Sequence, residues 1–483
     1  MLAENFAFRG KRIWLALIQV PLILPPFVGA IGMKKLLSRN GGVNSILSYF
    51  GFIDPSSPID WMSQPFWACV VLEALYLYPI TFLNVQAALA NIDPALDEAA
   101  RNLGAGPWRR FWRVTLPLMR PGVFAGSTIV FIWSFTELGT PLMVGYNAVT
   151  AVQVFDALKT QSPGPDAYAL VVVLLAVSVG IYAVGKFIFG RPVGAMLAKA
   201  TVATPPRKLG LLGSLAVTAP FAAVFFLAVL PHISVVLTSV STTGMLEIDP
   251  AKMTLQHHID AVGHPIAGRS VVNSLKYSII ATGIDIVFAF AIAYLLVRCK
   301  TRGSSLLDAL SMLPLAVPGL VLAFGFFAIT QGDSIVSFLN PLDDPGPLLI
   351  IAYSVRRMPF LVRSCVAGLE QTSVALEEAA INLGASTPRV LWKVTIPLLT
   401  ANLIAGSLLV FSRSMLEVSD SLILAFDKST YPMTKAIWDL ASDPSAGLER
   451  ASALGAWGML LLIVTITGAS LALGKRLGAL FRL

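Results

Sequence analysis

Charged side chains are scarce in this sequence, and that scarcity indicates its broad class. Only 13% of the 483 residues are charged, whereas 56% are hydrophobic. A soluble protein of this length has too little interior to bury so much apolar side chain, so the composition indicates an integral membrane protein. The apolar runs are continuous and about 20 residues long, which predicts membrane-spanning helices rather than the alternating strands of a barrel.

Cysteines are few, and nucleotide-binding or catalytic motifs are missing. Cys69, Cys299 and Cys365 lie in or at the ends of apolar runs, so no disulfide framework is expected. The nearest match to the phosphate-binding pattern G-x-x-x-x-G-K-[ST] is Gly468–Lys475, which has one residue too many and lacks the Ser or Thr. No Ser/His/Asp or His-Glu-x-x-His cluster is present. We therefore expect no ATP site, no cofactor and no enzyme activity in this chain.

Ten apolar runs predict ten membrane spans, near residues 13–33, 66–89, 122–144, 168–189, 211–239, 271–297, 306–330, 347–369, 402–425 and 452–473. Basic residues cluster in alternate loops, and a basic excess marks the cytoplasmic side. Both termini are therefore predicted to be cytoplasmic. The same loops explain the net charge of +8, so no nucleic acid partner is expected. The predicted cytoplasmic groups lie at Arg9–Arg12, Arg101–Arg120, Lys186–Lys208, Arg298–Arg302 and Lys475–Arg482, whereas Lys34, Lys35 and Arg39 fall outside.

One stretch occurs twice, at a constant offset of 280 residues. Asp97–Ala105 returns as Glu377–Ala385, and the match continues as far as Glu137 and Glu417. A gapless repeat of this length indicates two copies of one structural unit. Both copies are predicted to face the cytoplasm, so the repeat is expected to be parallel. Many secondary transporters instead have inverted repeats, which are related by an axis in the membrane plane.

The two halves are unequal in length. We assign residues 1–190 to a first domain with four spans, 191–209 to a cytoplasmic linker, and 210–483 to a second domain with six spans. Aligned backwards, Phe8–Lys11 matches Thr301–Ser304, so the first half begins where the third span of the second half begins. About 95 residues, equivalent to 209–303, thus have no counterpart. A misassigned start codon, a truncated gene and a shortened variant all fit this pattern.

Each copy of the repeated loop predicts a helix, a glycine turn and a second short helix. Asp93 and Ser373 are the expected helix caps, and Gly104 and Gly384 supply the left-handed residue that ends each helix. A pair of amphipathic helices on the bilayer surface is the alternative reading. The second helices are expected to begin near Pro107 and Pro388, and Pro117 and Pro397 to break the chain before the next spans.

The repeated pattern Glu-Ala-Ala, then Gly, then Leu-Pro or Ile-Pro resembles the EAA loop of binding-protein-dependent ABC importer permeases. The resemblance covers essentially the whole chain and points to the fused, two-domain ferric-iron-type branch, which normally has six spans per half. It implies an all-α integral membrane fold, that of a type I ABC importer transmembrane domain, with two parallel pseudo-repeats and about 10 helices arranged 4 + 6. The missing first two spans depart from the family pattern.

The resemblance also implies partners and a function. Each EAA loop is expected to dock in a groove of one ATPase subunit, with the ATPase a homodimer, while a separate binding protein delivers the solute outside the bacterial inner membrane. Ferric iron is the expected solute, and thiamine, polyamines, phosphonates or another small solute are the alternatives. A gradient-driven secondary transporter or channel is the alternative of a different class. The implied ATPase contacts are Glu98, Ala99 and Gly104 in the first loop and Glu378, Ala379 and Gly384 in the second.

Ionisable residues inside the predicted spans are candidates for the solute pathway. The equivalent Glu137 and Glu417 are expected about four turns into their helices. Arg413 precedes Glu417 by four residues, so the two can pair on one helix face. Glu73 and Arg356 are candidates to face each other across the interface between the halves. Structural pairing between helices is the alternative role for all five residues.

Three histidines, His257, His258 and His264, lie in one predicted outer loop. We expect no metal site there, because adjacent histidines in a loop rarely indicate one. A permease also needs a route that releases its solute, which a tight site does not do.

Overall fold

The computed structural model is almost wholly helical. It describes residues 2–90, 92–158, 164–189, 207–242, 250–299, 302–332, 334–443 and 447–473. The predicted linker 191–209 lies mainly outside these residues, and so do the basic residues Arg191, Lys199, Lys475, Arg476 and Arg482. Contacts divide the chain into two compact units. Unit 1 is chiefly Met1–Val154 with Tyr168–Thr238, and unit 2 is chiefly Phe155–Ala167 with Pro250–Leu483.

The first half of the chain contains helices α1 Leu2–Asn5, α2 Lys11–Leu17, α3 Pro26–Leu36, α4 Gly42–Tyr49, α5 Pro65–Ala90, α6 Pro94–Asn102, α7 Pro107–Arg110, α8 Leu116–Phe135, α9 Gly139–Val144, α10 Thr150–Leu158, α11 Pro165–Phe189 and α12 Leu211–Val240. Two short strands, β1 Phe6–Ala7 and β2 Arg207–Lys208, pair in parallel. They are a minor addition to the predicted all-helical fold.

The second half contains helices α13 Gln256–Gly263, α14 Pro265–Tyr294, α15 Ser304–Ala316, α16 Gly319–Ile329, α17 Pro345–Gln371, α18 Val374–Asn382, α19 Thr387–Val390, α20 Ile396–Met415, α21 Ser419–Leu424, α22 Met433–Ser442 and α23 Gly447–Leu473. The order of elements from α2 to α11 repeats from α15 to α23, apart from the additional short helix α4. The repeat seen in the sequence is therefore a repeat of structure.

Six helical segments are long and apolar enough to cross a membrane: α5, Pro107–Phe135, α12, Pro265–Cys299, Thr387–Met415 and Gly447–Gly468. The pairs α2–α3 and α15–α16 pass the same test together but bend by 88° and 100°. Prolines at the start of α3 and before α16 cause these breaks, because proline has no N–H to donate and clashes with the preceding turn. The predicted spans 13–33 and 306–330 are thus broken helices. The remaining two correspond to α11 and α17, and the total of ten stays a prediction.

Equivalent glycines bring the central helices of each half into close contact. A Cβ on Gly126 of α8 would lie 2.8 Å from Thr81 Cα of α5. One on Gly406 of α20, the residue 280 positions later, would lie 2.5 Å from Leu361 Cδ1 of α17. Small residues at both crossings allow the backbones to approach closely, as is common between membrane helices.

Helix α12 packs on the first helices of the chain inside unit 1. The rings of Phe8 and Phe221 are 5.6 Å apart, and the Arg9 N–H donates to Ser214 Oγ at 3.0 Å. At Gly32 a Cβ would lie 1.8 Å from Pro231 O, so only glycine fits there. Although α12 follows the predicted linker, it joins the first unit by its contacts. The sequence domains themselves stay a prediction.

Unit 2 is centred on α14, α17 and α20. Their buried core includes Ala289 and Ala293 on α14, Leu361 and Cys365 on α17, and Leu399 on α20. Because the alanine side chains on α14 are small, α17 and α20 can approach this helix closely. All three cysteines are free thiols in the structure.

Candidate functional site

The first repeated loop folds as a capped helix that ends at a glycine. The Asp93 carboxylate accepts a hydrogen bond from the Ala95 N–H at 2.9 Å and so caps α6. Gly104 ends the helix with φ of 80°. Its N–H donates to Arg101 O at 2.9 Å, and the Ala105 N–H donates to an earlier carbonyl, that of Ala100, at 3.0 Å. This pair of bonds is the Schellman arrangement, which satisfies the last carbonyls of a helix.

The second repeated loop has the same construction. Ser373 Oγ accepts from the Ala375 N–H at 3.3 Å, and Gly384 has φ of 82°. The Gly384 N–H donates to Ile381 O at 2.8 Å, and the Ala385 N–H to the carbonyl of residue 380 at 3.0 Å. The predicted helix and glycine turn are confirmed in both copies.

The predicted break before the next span is wrong in both copies. After α7 and α19, one π-helical turn, Phe111–Thr115 or Leu391–Thr395, leads directly into α8 or α20. Pro117 and Pro397 lie in the first turn after it. The wider turn accommodates a proline that has no N–H to donate. Each short helix is therefore continuous with a membrane helix, as Pro107–Phe135 and Thr387–Met415.

The six predicted ATPase-contact residues are all exposed on these loops. They are Glu98, Ala99, Gly104, Glu378, Ala379 and Gly384. A Cβ added at either glycine would meet nothing within 4 Å, so both turns project away from the rest of the protein. The geometry leaves these positions open to a partner, and their role as contacts stays a prediction.

Two leucines outside the predicted contact residues are the most exposed large hydrophobic side chains of these loops. Leu103 and Leu383 directly precede the glycines, and their exposed fractions are 88% and 89%. Trp112 and Trp392, in the π-helical turns that follow, are also exposed, at 51% and 72%. Apolar side chains this exposed at equivalent places indicate a surface that another molecule covers. The signal was present in the sequence as a leucine before each glycine.

The acid that precedes each repeated glutamate pairs with an arginine. Asp97 pairs with Arg110 of the same loop at 2.7 Å. Glu377, its equivalent, is buried and pairs with Arg298 at 3.2 Å. Arg298 also donates to Thr372 Oγ1 at 2.9 Å. Of the two neighbouring acids, the loops thus use the first for anchoring and present the second, Glu98 or Glu378, outward.

Glu137 and Glu417 do not lie within their helices, contrary to prediction. Helix α8 ends at Phe135 and α20 at Met415, so each glutamate lies in a break before the next short helix. Glu137 Oε1 accepts from the Gly139 N–H at 3.1 Å, and Glu417 Oε1 accepts from the Asp420 N–H at 3.3 Å. The carboxylates satisfy N–H groups at the start of α9 and α21, which lets the longer helices end there.

In unit 2 two arginines and two acids form a charged cluster. Arg356 Nη1 lies 2.5 Å from Glu417 Oε1 and 3.5 Å from Asp420 Oδ2. Arg357, which is almost fully buried, pairs with Glu417 Oε2 and lies 3.7 Å from Asp420. Two arginines thus balance two acids. Arg413 and Glu417 do not lie on one helix face, because α20 ends between these two residues. Their pairing stays a prediction.

Glu73 lies on α5 in unit 1 and is only 8% exposed. Arg356 lies in unit 2 with partners of its own. The predicted opposition of Glu73 and Arg356 concerns the relation of the two units and stays a prediction, as do the pathway roles of all five membrane candidates. Asp285 on α14 is also buried and accepts a hydrogen bond from Ser354, which fits the pairing role expected for polar groups between helices.

The three histidines of the predicted outer loop each make a local contact. His257 Nε2 lies 3.0 Å from Ser241 O, and His258 Nε2 lies 3.1 Å from Ser239 Oγ. His264 Nδ1 accepts from the Ile266 N–H at 3.3 Å and caps α14. Burial, together with the neighbouring His257, lowers the pKa of His258. Among the described residues, no three His, Cys, Asp or Glu side chains form a group that could hold a metal ion.

The family of this chain follows from its match to known sequences. Residues 1–188 and 285–478 match the family described as binding-protein-dependent transport system inner membrane component. The chain belongs to this family. It is thus a helical component of an inner-membrane transport system, and the two matched segments correspond to the two halves of the repeat.

Several relatives in this family align with most of the chain. The ferric transport system permease protein FbpB of Actinobacillus pleuropneumoniae is 27% identical over 473 residues, which is 96% of this chain and 65% of that protein. A putative ferric transport system permease protein, FbpB 1 of Haemophilus influenzae, is 28% identical over 88% of this chain and 65% of its own length. The chain thus spans slightly under two-thirds of both relatives.

Two other known proteins align with a smaller part of the chain. The molybdenum transport system permease protein ModB of Escherichia coli is 29% identical over 36% of this chain and 74% of its own length. A crystal structure of a bacterial ABC transporter involved in the import of alginate is 19% identical, with a TM-score of 0.42. That match covers 56% of this chain and 98% of the solved one.

Proposed function

We propose that this chain is the membrane-embedded permease subunit of an ATP-driven importer, with ferric iron as its solute. The observation that carries the proposal is the duplicated loop. Two exposed helix–glycine turns of the same geometry recur 280 residues apart in a chain of this transport family. The solute is supported by relatives named as ferric permeases that align with 96% and 88% of the chain.

Each loop serves as the docking element for one subunit of a separate ATPase. Leu103 and Leu383 stand at equivalent places and are almost equally exposed, so one shape of groove fits both. An ATPase homodimer supplies two such grooves. A solute-binding protein on the other side of the membrane delivers the solute, which agrees with the description of the family. Both loops and both termini are cytoplasmic in this arrangement.

Docking is converted into movement through the short helices that follow each glycine. Because Pro107–Phe135 and Thr387–Met415 are continuous helices, a displacement of either loop acts directly on a membrane span. Closure of the ATPase dimer moves both loops and switches the permease between outward and inward access. The chain itself supplies the pathway and the coupling, whereas ATP hydrolysis belongs to the partner.

A different solute within the family is the second candidate. The ModB relatives are named for molybdenum transport and match part of this chain at 29% identity, and thiamine, polyamines and phosphonates remain alternatives. A gradient-driven transporter is disfavoured because it has no use for two equal docking loops.

Uptake into proteoliposomes tests the proposal. The chain is reconstituted with its ATPase and binding protein on opposite sides of the membrane. Radioactive ferric iron is supplied on the side of the binding protein, and ATP on the side of the ATPase. The proposal predicts uptake that stops with an ATPase unable to hydrolyse ATP and that survives collapse of ion gradients by an ionophore. If iron is not taken up but molybdate, thiamine, spermidine or a phosphonate is, the proposed solute is wrong and the transported compound replaces it. Uptake that follows the ion gradient without ATP would refute the importer.

A further inference from the structure

Helix α4, the additional short helix of the first half, lies in the connection between α3 and α5. The corresponding connection of unit 2, between α16 and α17, contains among its described residues only the 3₁₀ turn Ser337–Leu339. Helix α5 is long and apolar enough to cross a membrane, and α3 belongs to a bent pair that passes the same test. Helix α4 therefore joins the ends of two membrane segments.

Helix α4 turns its polar side toward the protein and its apolar side away from it. Asn44 is only 4% exposed, and its Nδ2 donates to Arg39 O at 2.9 Å and to Ile59 O at 2.7 Å. Away from this side, Ile46 and Tyr49 are 57% and 86% exposed, and their spacing of three residues puts them on one helix face. A surface helix of a soluble protein has the opposite arrangement, with its apolar face against the core.

A glycine turn extends the apolar side beyond the end of α4. Gly51 has φ of 73°, and the Phe52 N–H donates to Leu47 O at 2.8 Å. The turn brings the Phe52 ring to 6.5 Å from that of Phe50, which is itself 5.4 Å from the Tyr49 ring. Phe50 and Phe52 are 65% and 75% exposed. The aromatic face of unit 1 is the set Ile46, Tyr49, Phe50 and Phe52.

The connection is folded, so the exposure of these rings is a property of the structure. Trp61 Nε1 donates to Asn44 Oδ1 at 2.8 Å, and Arg39 pairs with Asp60 at 3.4 Å. Asn44 thus holds both ends of the connection, because its Nδ2 also binds carbonyls on either side of α4. The aromatic face is presented by a fixed scaffold.

The interfacial layer of the bilayer matches the aromatic face in composition and in position. Aromatic side chains are enriched where membrane proteins meet the lipid headgroups, and a helix that lies in this layer buries its apolar face there. Asn44 Nδ2 lies 3.4 Å from the carbonyl oxygen of Ser38, two residues after α3 ends. The face is therefore carried directly at the end of a membrane segment.

Basic residues beside the aromatic face are complementary to anionic lipid headgroups. Residues 34–53 include Lys34, Lys35 and Arg39 and no acid. The predicted topology places these three outside the cytoplasm, against the usual bias of basic residues. Lys34 is exposed in the last turn of α3, and from there a long lysine side chain can reach the lipid phosphates.

We propose that α4 and the Gly51 turn form an interfacial anchor, with the aromatic face among the lipid headgroups and Lys34 at their phosphates. The anchor holds unit 1 at the membrane boundary where α5 begins. The first repeated loop follows the other end of α5, so the two lie at opposite ends of this helix. The inference needs only a bilayer and does not depend on the solute or the ATPase.

Collision rates of spin labels test the depth of the aromatic face. The full chain, with its three cysteines replaced by alanine, is labelled at Tyr49→Cys, Phe52→Cys or Ser57→Cys and placed in lipid nanodiscs. Ser57 is exposed in the same connection but outside the face, and is the matched control. The ratio of collisions with O₂, which partitions into lipid, to collisions with a water-soluble nickel complex should be several-fold higher at Tyr49 and Phe52 than at Ser57. Equal ratios at all three positions would place the face in water and overturn the proposal.

A protein partner is the competing occupant of the aromatic face, and the same labels distinguish it. The solute-binding protein is added to the labelled chain in nanodiscs, and the proposal predicts unchanged ratios at Tyr49 and Phe52. If both labels are open to the nickel complex until the binding protein is added, and are then shielded from both reagents, the face docks that protein and the proposal is wrong.

Lipid composition tests the contact of Lys34 with the headgroups. The label at Phe52 should show a higher ratio in nanodiscs that contain phosphatidylglycerol than in phosphatidylcholine alone, and Lys34→Gln should remove this difference. Equal ratios in the two lipids would refute the headgroup contact. Co-purification of the ATPase with each variant checks that the substitutions leave the rest of the chain folded.

Discussion

Arg298 and Glu377 form a buried ion pair that joins the π-helical turn after α14, Leu295–Cys299, to α18, the helix of the second repeated loop. Arg298 Nε lies 3.2 Å from Glu377 Oε1, and the arginine also donates to the Thr372 carbonyl oxygen at 3.1 Å. The equivalent acid of the first loop, Asp97, is held by Arg110 of its own loop. The second loop is thus tied to a membrane helix outside it, whereas the first is tied to its own neighbour.

Replacing Arg298 by alanine should therefore uncouple the second loop. Glu377 would be left buried without its cation, which costs about 3–5 kcal/mol when a buried pair is broken. We expect the ATPase to bind still, while the amount of solute transported per ATP hydrolysed falls in proteoliposomes. Arg110→Ala is the matched control. Because Asp97 is half exposed, its pair contributes at most about 1 kcal/mol. An unchanged ratio in Arg298→Ala would show that the ion pair transmits nothing.

Aspartate at Gly104 or Gly384 should weaken ATPase association and leave membrane insertion intact. The added side chain meets no atom of this protein within 4 Å, so it projects toward the partner, and the positive φ adds strain of about 1–2 kcal/mol. Association is measured by co-purification from detergent. Gly145→Asp has the same kind of strain, with φ of 87° and open space, but lies outside the loops and should bind the ATPase normally. Full transport by the double variant would refute the coupling role.

Serine at Leu103 and Leu383 should weaken ATPase affinity without disturbing the fold. Each leucine is almost fully exposed in this chain, and burying one in a partner contributes about 1.5–3 kcal/mol. We expect at least a tenfold loss of affinity for each site, measured by titration in nanodiscs. Ile335→Ser, at a residue that is 97% exposed in a different loop, is the control. Equal losses in all three variants would argue against a specific surface.

Methionine at Arg357 should destabilise unit 2. The side chain is buried against Glu417 and Asp420, and removing one partner of a buried pair costs about 3–5 kcal/mol. The measurement is the thermal unfolding temperature in detergent, which should fall for Arg357→Met and recover when Glu417→Leu is added. A normal unfolding temperature together with lost uptake would instead indicate that Arg357 acts in the solute pathway.

Local features of this protein could be predicted from its sequence, because their causes are local. The ends of α6 and α18 follow from one capping residue and one glycine each, and the structure places both as expected. The long apolar runs also predict helices, because a run of neighbouring apolar residues is a local feature of the sequence. Pro117 lies at the start of a membrane helix, where the sequence places it, but it does not break the chain. A π-helical turn before this proline keeps the helix continuous.

Contacts between distant segments could not be predicted in this way. Glu417 is 61 residues from Arg356, so sequence spacing favoured the nearer Arg413 instead. The early end of α20 depends on the Glu417 carboxylate binding a backbone N–H, which an apolar run does not reveal. The packing of α12 in unit 1 is likewise a long-range contact, as the 205-residue separation of Arg9 and Ser214 shows.

Site-specific photo-crosslinking tests the central claim most directly. A photoreactive phenylalanine analogue is placed at Leu103, at Leu383 or at Ile335, and membranes that contain the ATPase are irradiated. Adducts with the ATPase from Leu103 and Leu383, and none from Ile335, are the predicted result. If neither leucine position gives an ATPase adduct while the partners are shown to be present, the two loops do not dock on an ATPase and the account is wrong.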